Sequence, residues 1–189
     1  MKRILLIPLF IVIIIVFWIY IIPIFQNMEG QSHYINDKYG FELNYPETWR
    51  YYENQAWWER NIVDTIVLAP QEDIEKMKAI VDEGSAFSLK FPITINFFAG
   101  DIYEDEVFPV LSADDEYGTV EMNNTEVGGK YAKEIRSILT VDEFEGFEVG
   151  NIAIDYVIPH QEGYLIIGSH MDKYKDVLKD MVDSILFTN

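Results

Sequence analysis

The chain has 189 residues, no cysteine, and 32 acidic against 14 basic side chains, for a formal net charge of −18. The missing cysteines exclude thiol nucleophiles, thiolate metal sites and disulfide staples. The acidity excludes phosphate backbones as partners, so no nucleic acid is expected, and the length leaves room for one globular domain behind a single apolar segment.

Chain order begins with that segment. After Lys2 and Arg3, residues 4–25 carry no charge, and as a helix they would cover about 33 Å, enough to cross a hydrocarbon core of about 30 Å. The run is longer than the apolar part of a cleaved leader, and no small-residue cleavage pattern follows it. Trp18 and Tyr20 suit the distal interface, Pro8 and Pro23 stand near the ends, and the basic start favours a cytoplasmic N-terminus. The expected organisation is a cytoplasmic tip at 1–3, a transmembrane signal anchor at 4–25, a linker at 26–31 and an extracytoplasmic domain at 32–189. The localisation that follows is the cell membrane, single-pass, with the bilayer itself as one partner.

Beyond the linker, FELNY alternates, so Phe41, Leu43 and Tyr45 share a strand face with Tyr39 preceding them, and Pro46 ends the strand. DTIVLA at 64–69 reads as a strand. At 71–84 the period changes to that of a helix, with Ile74, Met77, Ile80 and Val81 on one stripe. PITINFFAG at 92–100 is strand-like and is followed by an acidic stretch to about Tyr117. A strand, a turn through Gly128 and Gly129, and a second strand at 131–141 come next, then a hairpin around HQE. Tyr174, Leu178, Met181, Val182 and Ile185 fall at helical spacing to the end of ILF, with Asp172 as cap. The class is α+β, an antiparallel sheet flanked by helices.

The chemistry-bearing residues are scattered. His33, His160 and His170 show no metal-binding spacing. In GSH, Ser169 and His170 are adjacent, and in a strand they point to opposite faces, which disfavours a nucleophile–base pair. No phosphate-cradling loop or nucleophile elbow is present. The carboxylates Asp101, Glu104, Asp114 and Asp115 could offer oxygen ligands to a hard cation such as calcium, although no EF-hand pattern contains them. Trp57 and Trp58 cannot both enter one core from a regular strand, so they are the candidate partner-binding residues.

YGFELNYPETW, VGGKYAKEI, IDYVIPHQEGYLIIGS and the closing ILF resemble, in order and spacing, the pattern of PsbP-like domains over nearly all of 32–188. The resemblance implies an α/β/α sandwich around an antiparallel sheet, of the kind found in membrane-anchored relatives of the photosystem II extrinsic subunit. It carries over no binding residue, because the basic docking region of those subunits is replaced here by the anchor. The expectation is therefore a membrane-tethered, non-catalytic extracytoplasmic domain that binds or scaffolds another protein, with no cofactor. Two other readings stand beside it: an envelope hydrolase or glycan-binding protein using carboxylates, and a calcium-binding module.

Overall fold

The computed structural model describes residues 30–54, 62–76, 78, 91–99, 120–138, 150–160 and 163–188. The predicted anchor at 4–25 and most of the linker lie outside these residues. Among the described residues no helix is long and apolar enough to cross a membrane. One compact unit runs from His33 to Asn189.

Among the described residues there are ten strands and one full helix: β1 (Gln31–Asn36), β2 (Phe41–Pro46), β3 (Trp49–Asn54), β4 (Ile62–Pro70), β5 (Ile93–Ala99), β6 (Val120–Val127), β7 (Lys130–Ile138), β8 (Ile152–His160), β9 (Gly163–Ser169), α1 (Lys175–Asp183) and β10 (Leu186–Phe187). Seven strands form one sheet in the order β3-β4-β5-β9-β8-β7-β6, and β1-β2-β10 form a second. Every register recorded in the large sheet is antiparallel.

The period-2 pattern explains which face is buried. Ile66 of β4 stands opposite Ile95 of β5, Ile95 opposite Ile167 of β9, and Ile167 opposite Tyr156 of β8, so one apolar row crosses four strands. Against this face pack Phe41, Leu43 and Tyr45 of β2 and Leu178, Met181 and Val182 of α1. Together these side chains make one continuous core, the term that stabilises a domain of this size most. Trp49 closes one end, edge-on to Tyr174 at 5.2 Å. The opposite face is also buried at Thr65, Val67, Ile135 and Val157.

Three expectations change. Among the described residues the layer on the core face is mixed, three strands and a helix, rather than the helical layer of an α/β/α sandwich. The reason lies after Asp183, where α1 stops and Leu186–Phe187 pairs antiparallel with Phe41 and Glu42 as β10. Ser184 brings this about: its Oγ donates to the Met181 carbonyl at 2.7 Å and accepts from the Asn44 amide at 2.8 Å, so the last turn is tied to β2. Second, Asp172 does not cap a helix; it begins a 3-10 turn, Asp172–Tyr174, without a side-chain bond to a helix N–H. Third, Tyr39 lies in the turn between β1 and β2 rather than on the strand face, with its ring stacked on Phe97 at 3.5 Å. The predicted helix at 71–84 is seen only at its start, with Ile74 buried.

Candidate functional site

The β1–β2 turn, residues 37–40, lies beside the inner ends of β3 and β4, and an open cavity of about 420 Å³ forms between them. Its walls include Asn36, Lys38, Tyr39, Glu53 and Asp64, with Ile35 at the rim. The turn is fixed from behind. Gly40 takes φ 60°, and a Cβ there would sit 2.8 Å from the Thr188 carbonyl. Its own carbonyl accepts from the Thr188 amide at 2.9 Å.

Two carboxylates are each held by a tyrosine. The Tyr34 hydroxyl donates to Glu53 Oε1 at 2.5 Å, and the Tyr39 hydroxyl donates to Asp64 Oδ2, which also receives Lys38 Nζ. Asn36 joins the two halves. Its Nδ2 donates to the Tyr34 oxygen at 2.8 Å, while its Oδ1 accepts from the Tyr39 amide at 3.0 Å. Burial, then the hydrogen bond to Glu53, pushes the Tyr34 phenol well above its ordinary value. Burial, then the bond to Asp64, also raises Tyr39. Both phenols therefore stay protonated donors and fix the carboxylates as acceptors. Lys38 is raised by its hydrogen bonds to Asp64 and Tyr39. Such a cavity suits an N–H-bearing or cationic group and repels anions.

His160 braces the same turn from the end of β8. Its Nε2 faces the Tyr39 carbonyl and must carry the proton; its Nδ1 accepts from Lys130 Nζ at 2.7 Å. Burial lowers its pKa; the hydrogen bond to the Tyr39 carbonyl opposes this in part, and the charge of Lys130 adds a smaller lowering. A neutral imidazole results. Burial likewise lowers Lys130, which lies over the Phe187 ring at 4.1 Å.

Of the residues singled out in the sequence, Trp57, Trp58, Asp101, Glu104, Asp114 and Asp115 lie outside the described residues. Ser169 and His170 are not joined: Ser169 Oγ engages the Met171 backbone at 3.3 Å, while His170 Nε2 stands 3.3 Å from Asp155 Oδ2. His33 is on the surface, 2.8 Å from Asn44 Oδ1. Among the described residues no three His, Asp or Glu side chains come together as a metal set. The sequence reading passed over Glu53 and Asp64, yet a signal was there. Asp64 shares strand parity with Ile66 and Leu68, and Glu53 with Trp49, so both carboxylates lie on the sheet face that carries the core, Glu53 exposed near its edge.

No family model matches the chain, and no curated protein matches it. Among solved structures the chain is similar to cyanobacterial PsbP from Synechocystis sp. PCC 6803, with TM-score 0.49 and 10% identity over 85% of this chain and 94% of that one. It is also similar to LpqN of Mycobacterium tuberculosis, a protein involved in cell envelope biogenesis, with TM-score 0.38 and 15% identity over 84% of this chain and 91% of that one.

Proposed function

We propose that this chain is a membrane-tethered, non-catalytic extracytoplasmic domain that holds a partner protein beside the bilayer. The uncharged run at 4–25 supports the tether, and the basic residues before it support the orientation. The observation that carries the binding role is the pocket between the β1–β2 turn and β3–β4. There Glu53 and Asp64 are held as acceptors by Tyr34 and Tyr39, and Ile35 stands 57% exposed at the rim. An apolar side chain beside fixed carboxylates is the chemistry that takes a lysine or arginine flanked by an apolar residue.

The acceptors are locked by neutral phenols, and the Thr65 hydroxyl is committed to Asn96 Oδ1 at 2.8 Å, which supports binding rather than turnover as the role of this pocket. The test is a photo-crosslinking amino acid at Ile35 of the full chain in its native membrane. A discrete protein adduct that weakens on Glu53→Gln is expected. Adducts to lipid alone, or one unchanged by Glu53→Gln, would remove the pocket from the proposal. Release of the full chain by alkaline carbonate would remove the tether.

A further inference from the structure

The seven-stranded sheet ends at β6, at the opposite edge from β3 and the pocket. Among the described residues β6 has a strand neighbour on one side only, β7, to which all eight of its residues register. Glu121, Met122, Asn123, Asn124 and Glu126 are all exposed, and among the described residues no strand pairs with the outer side of β6. Proteins usually blunt such an edge with lysine or proline. The strand VEMNNTEV has neither.

The turn tells which backbone groups face outward. Gly128 and Gly129 have φ 56° and 78°, the pair of positive values that a two-residue type I′ hairpin requires. In such a hairpin the residues flanking the turn, Val127 and Lys130, form a hydrogen-bonded pair, and bonding alternates from there. Thr125, Asn123 and Glu121 therefore spend their backbone groups on β7. The N–H and C=O of Met122, Asn124 and Glu126 point away from the sheet.

The same three residues share one face, where Met122 is 53% and Tyr131 56% exposed, and where the Tyr131 hydroxyl donates to Asn124 Oδ1 at 2.5 Å. A second copy fits this edge badly. Paired about Asn124 by a two-fold axis, each Met122 would meet the other copy's Glu126, and two chains of formal net charge −18 would be brought together.

We infer that the free edge of β6 is a strand-addition site for an extended segment of a partner protein, one that places a basic residue opposite Glu126 and an apolar residue opposite Met122. In an antiparallel addition those two residues are four apart and lie on one face of the incoming strand. With the pocket at one edge and this strand at the other, the domain has two separate surfaces through which it can join two proteins.

The probe is the acetylated, amidated heptapeptide TKVTVLT, compared with TEVTVLT, added to the full chain in detergent micelles. Amide hydrogen exchange is followed residue by residue. The lysine peptide slows exchange at the Met122, Asn124 and Glu126 amides while Asn123 and Thr125 change little. It binds about fivefold more tightly than the glutamate peptide, the ratio expected when a cross-strand charge pair turns from attractive to repulsive. Glu126→Lys, checked for an unchanged unfolding midpoint, reverses that preference. Equal affinities for the two peptides would overturn the inference, as would absence of protection at about 1 mM peptide, some 4 kcal/mol of binding. Concentration-dependent protection of the same amides without peptide would identify a second copy as the occupant instead.

Discussion

His170 at the end of β9 reaches back to Asp155 in the middle of β8, Nε2 to Oδ2 at 3.3 Å, on the sheet face turned away from the main core. Burial pulls the imidazolium pKa down, but the charge and hydrogen bond of Asp155 outweigh it, and His170 sits above the ordinary histidine value. A histidine raised in the folded state contributes stability that is full below its unfolded value of about 6.5 and is lost as pH rises through the folded value. Urea midpoints of the wild-type chain should therefore fall on the alkaline side of about pH 6.5, and Asp155→Asn should flatten that limb. His170→Gln should cost about 1–3 kcal/mol near pH 6, toward the lower end because the His170 side chain is 30% exposed. An alkaline limb unchanged in Asp155→Asn would assign the effect elsewhere.

His160 works in the other direction. It is held neutral between the Lys130 ammonium and the Tyr39 carbonyl; burial lowers its pKa by more than the Tyr39 hydrogen bond raises it, and Lys130 adds a smaller lowering. A group depressed in the folded state contributes stability present above its unfolded value and lost as pH falls through it, so acidification from about pH 6.5 should weaken the fold. Since His160 braces the β1–β2 turn, the loss should appear first there, as faster amide exchange at Tyr39 and Gly40. His160→Gln keeps an N–H for the Tyr39 carbonyl and removes the titration. Its acid limb should be shallower than wild type, and an identical limb would count against this role.

Gly168 is the strand partner of Asp155, and a Cβ built on it would lie 1.8 Å from Asp155 Oδ1. Gly168→Ala must therefore displace the carboxylate and break its pairing with His170, at about 1–3 kcal/mol by thermal or urea unfolding. In an Asp155→Ala background the obstacle is gone, although the Ile154 carbonyl still stands 3.1 Å away. The second substitution should then cost less than the first did alone. Strict additivity would show that the two positions do not share this contact.

Much of the architecture could be read from periodicity, because the residues involved obey one rule at a time. Phe41, Leu43 and Tyr45 alternate and all three are buried, and the paired glycines 128 and 129 make the turn their sequence demands. Leu186 and Phe187 misled, since Ile185 continues the helical spacing from Leu178. What ends α1 is the Ser184 bond to Asn44, a contact between residues 140 apart that local pattern does not contain. The pocket was hidden for a similar reason. Glu53 and Asp64 look like two more acids in an acidic chain until the strand register places them on one sheet face beside Tyr34 and Tyr39. The tryptophans and acidic loops that composition favoured as sites lie outside the described residues.

The tyrosines of the pocket give a spectroscopic handle on its integrity. Tyr34 and Tyr39 are raised by burial and by their carboxylate partners, and Tyr156 is pushed up to about 12 by burial and then by the charge of Glu134, its strand partner. A phenol raised in the folded state stabilises the fold up to its unfolded value of about 10, and that contribution is lost as pH rises further. In an ultraviolet titration these three phenols should ionise late, together with alkaline unfolding. Tyr34→Phe should remove one late-ionising group and leave the Glu53 carboxylate and the Asn36 amide short of a partner, at about 1–2 kcal/mol. Tyr39→Phe keeps the stack on Phe97 and loses its bonds to Asp64 and Lys38, which still pair with each other, so it should cost less. The reverse order of costs would mean that the Lys38–Asp64–Tyr39 side, rather than Tyr34–Glu53, holds the pocket in shape.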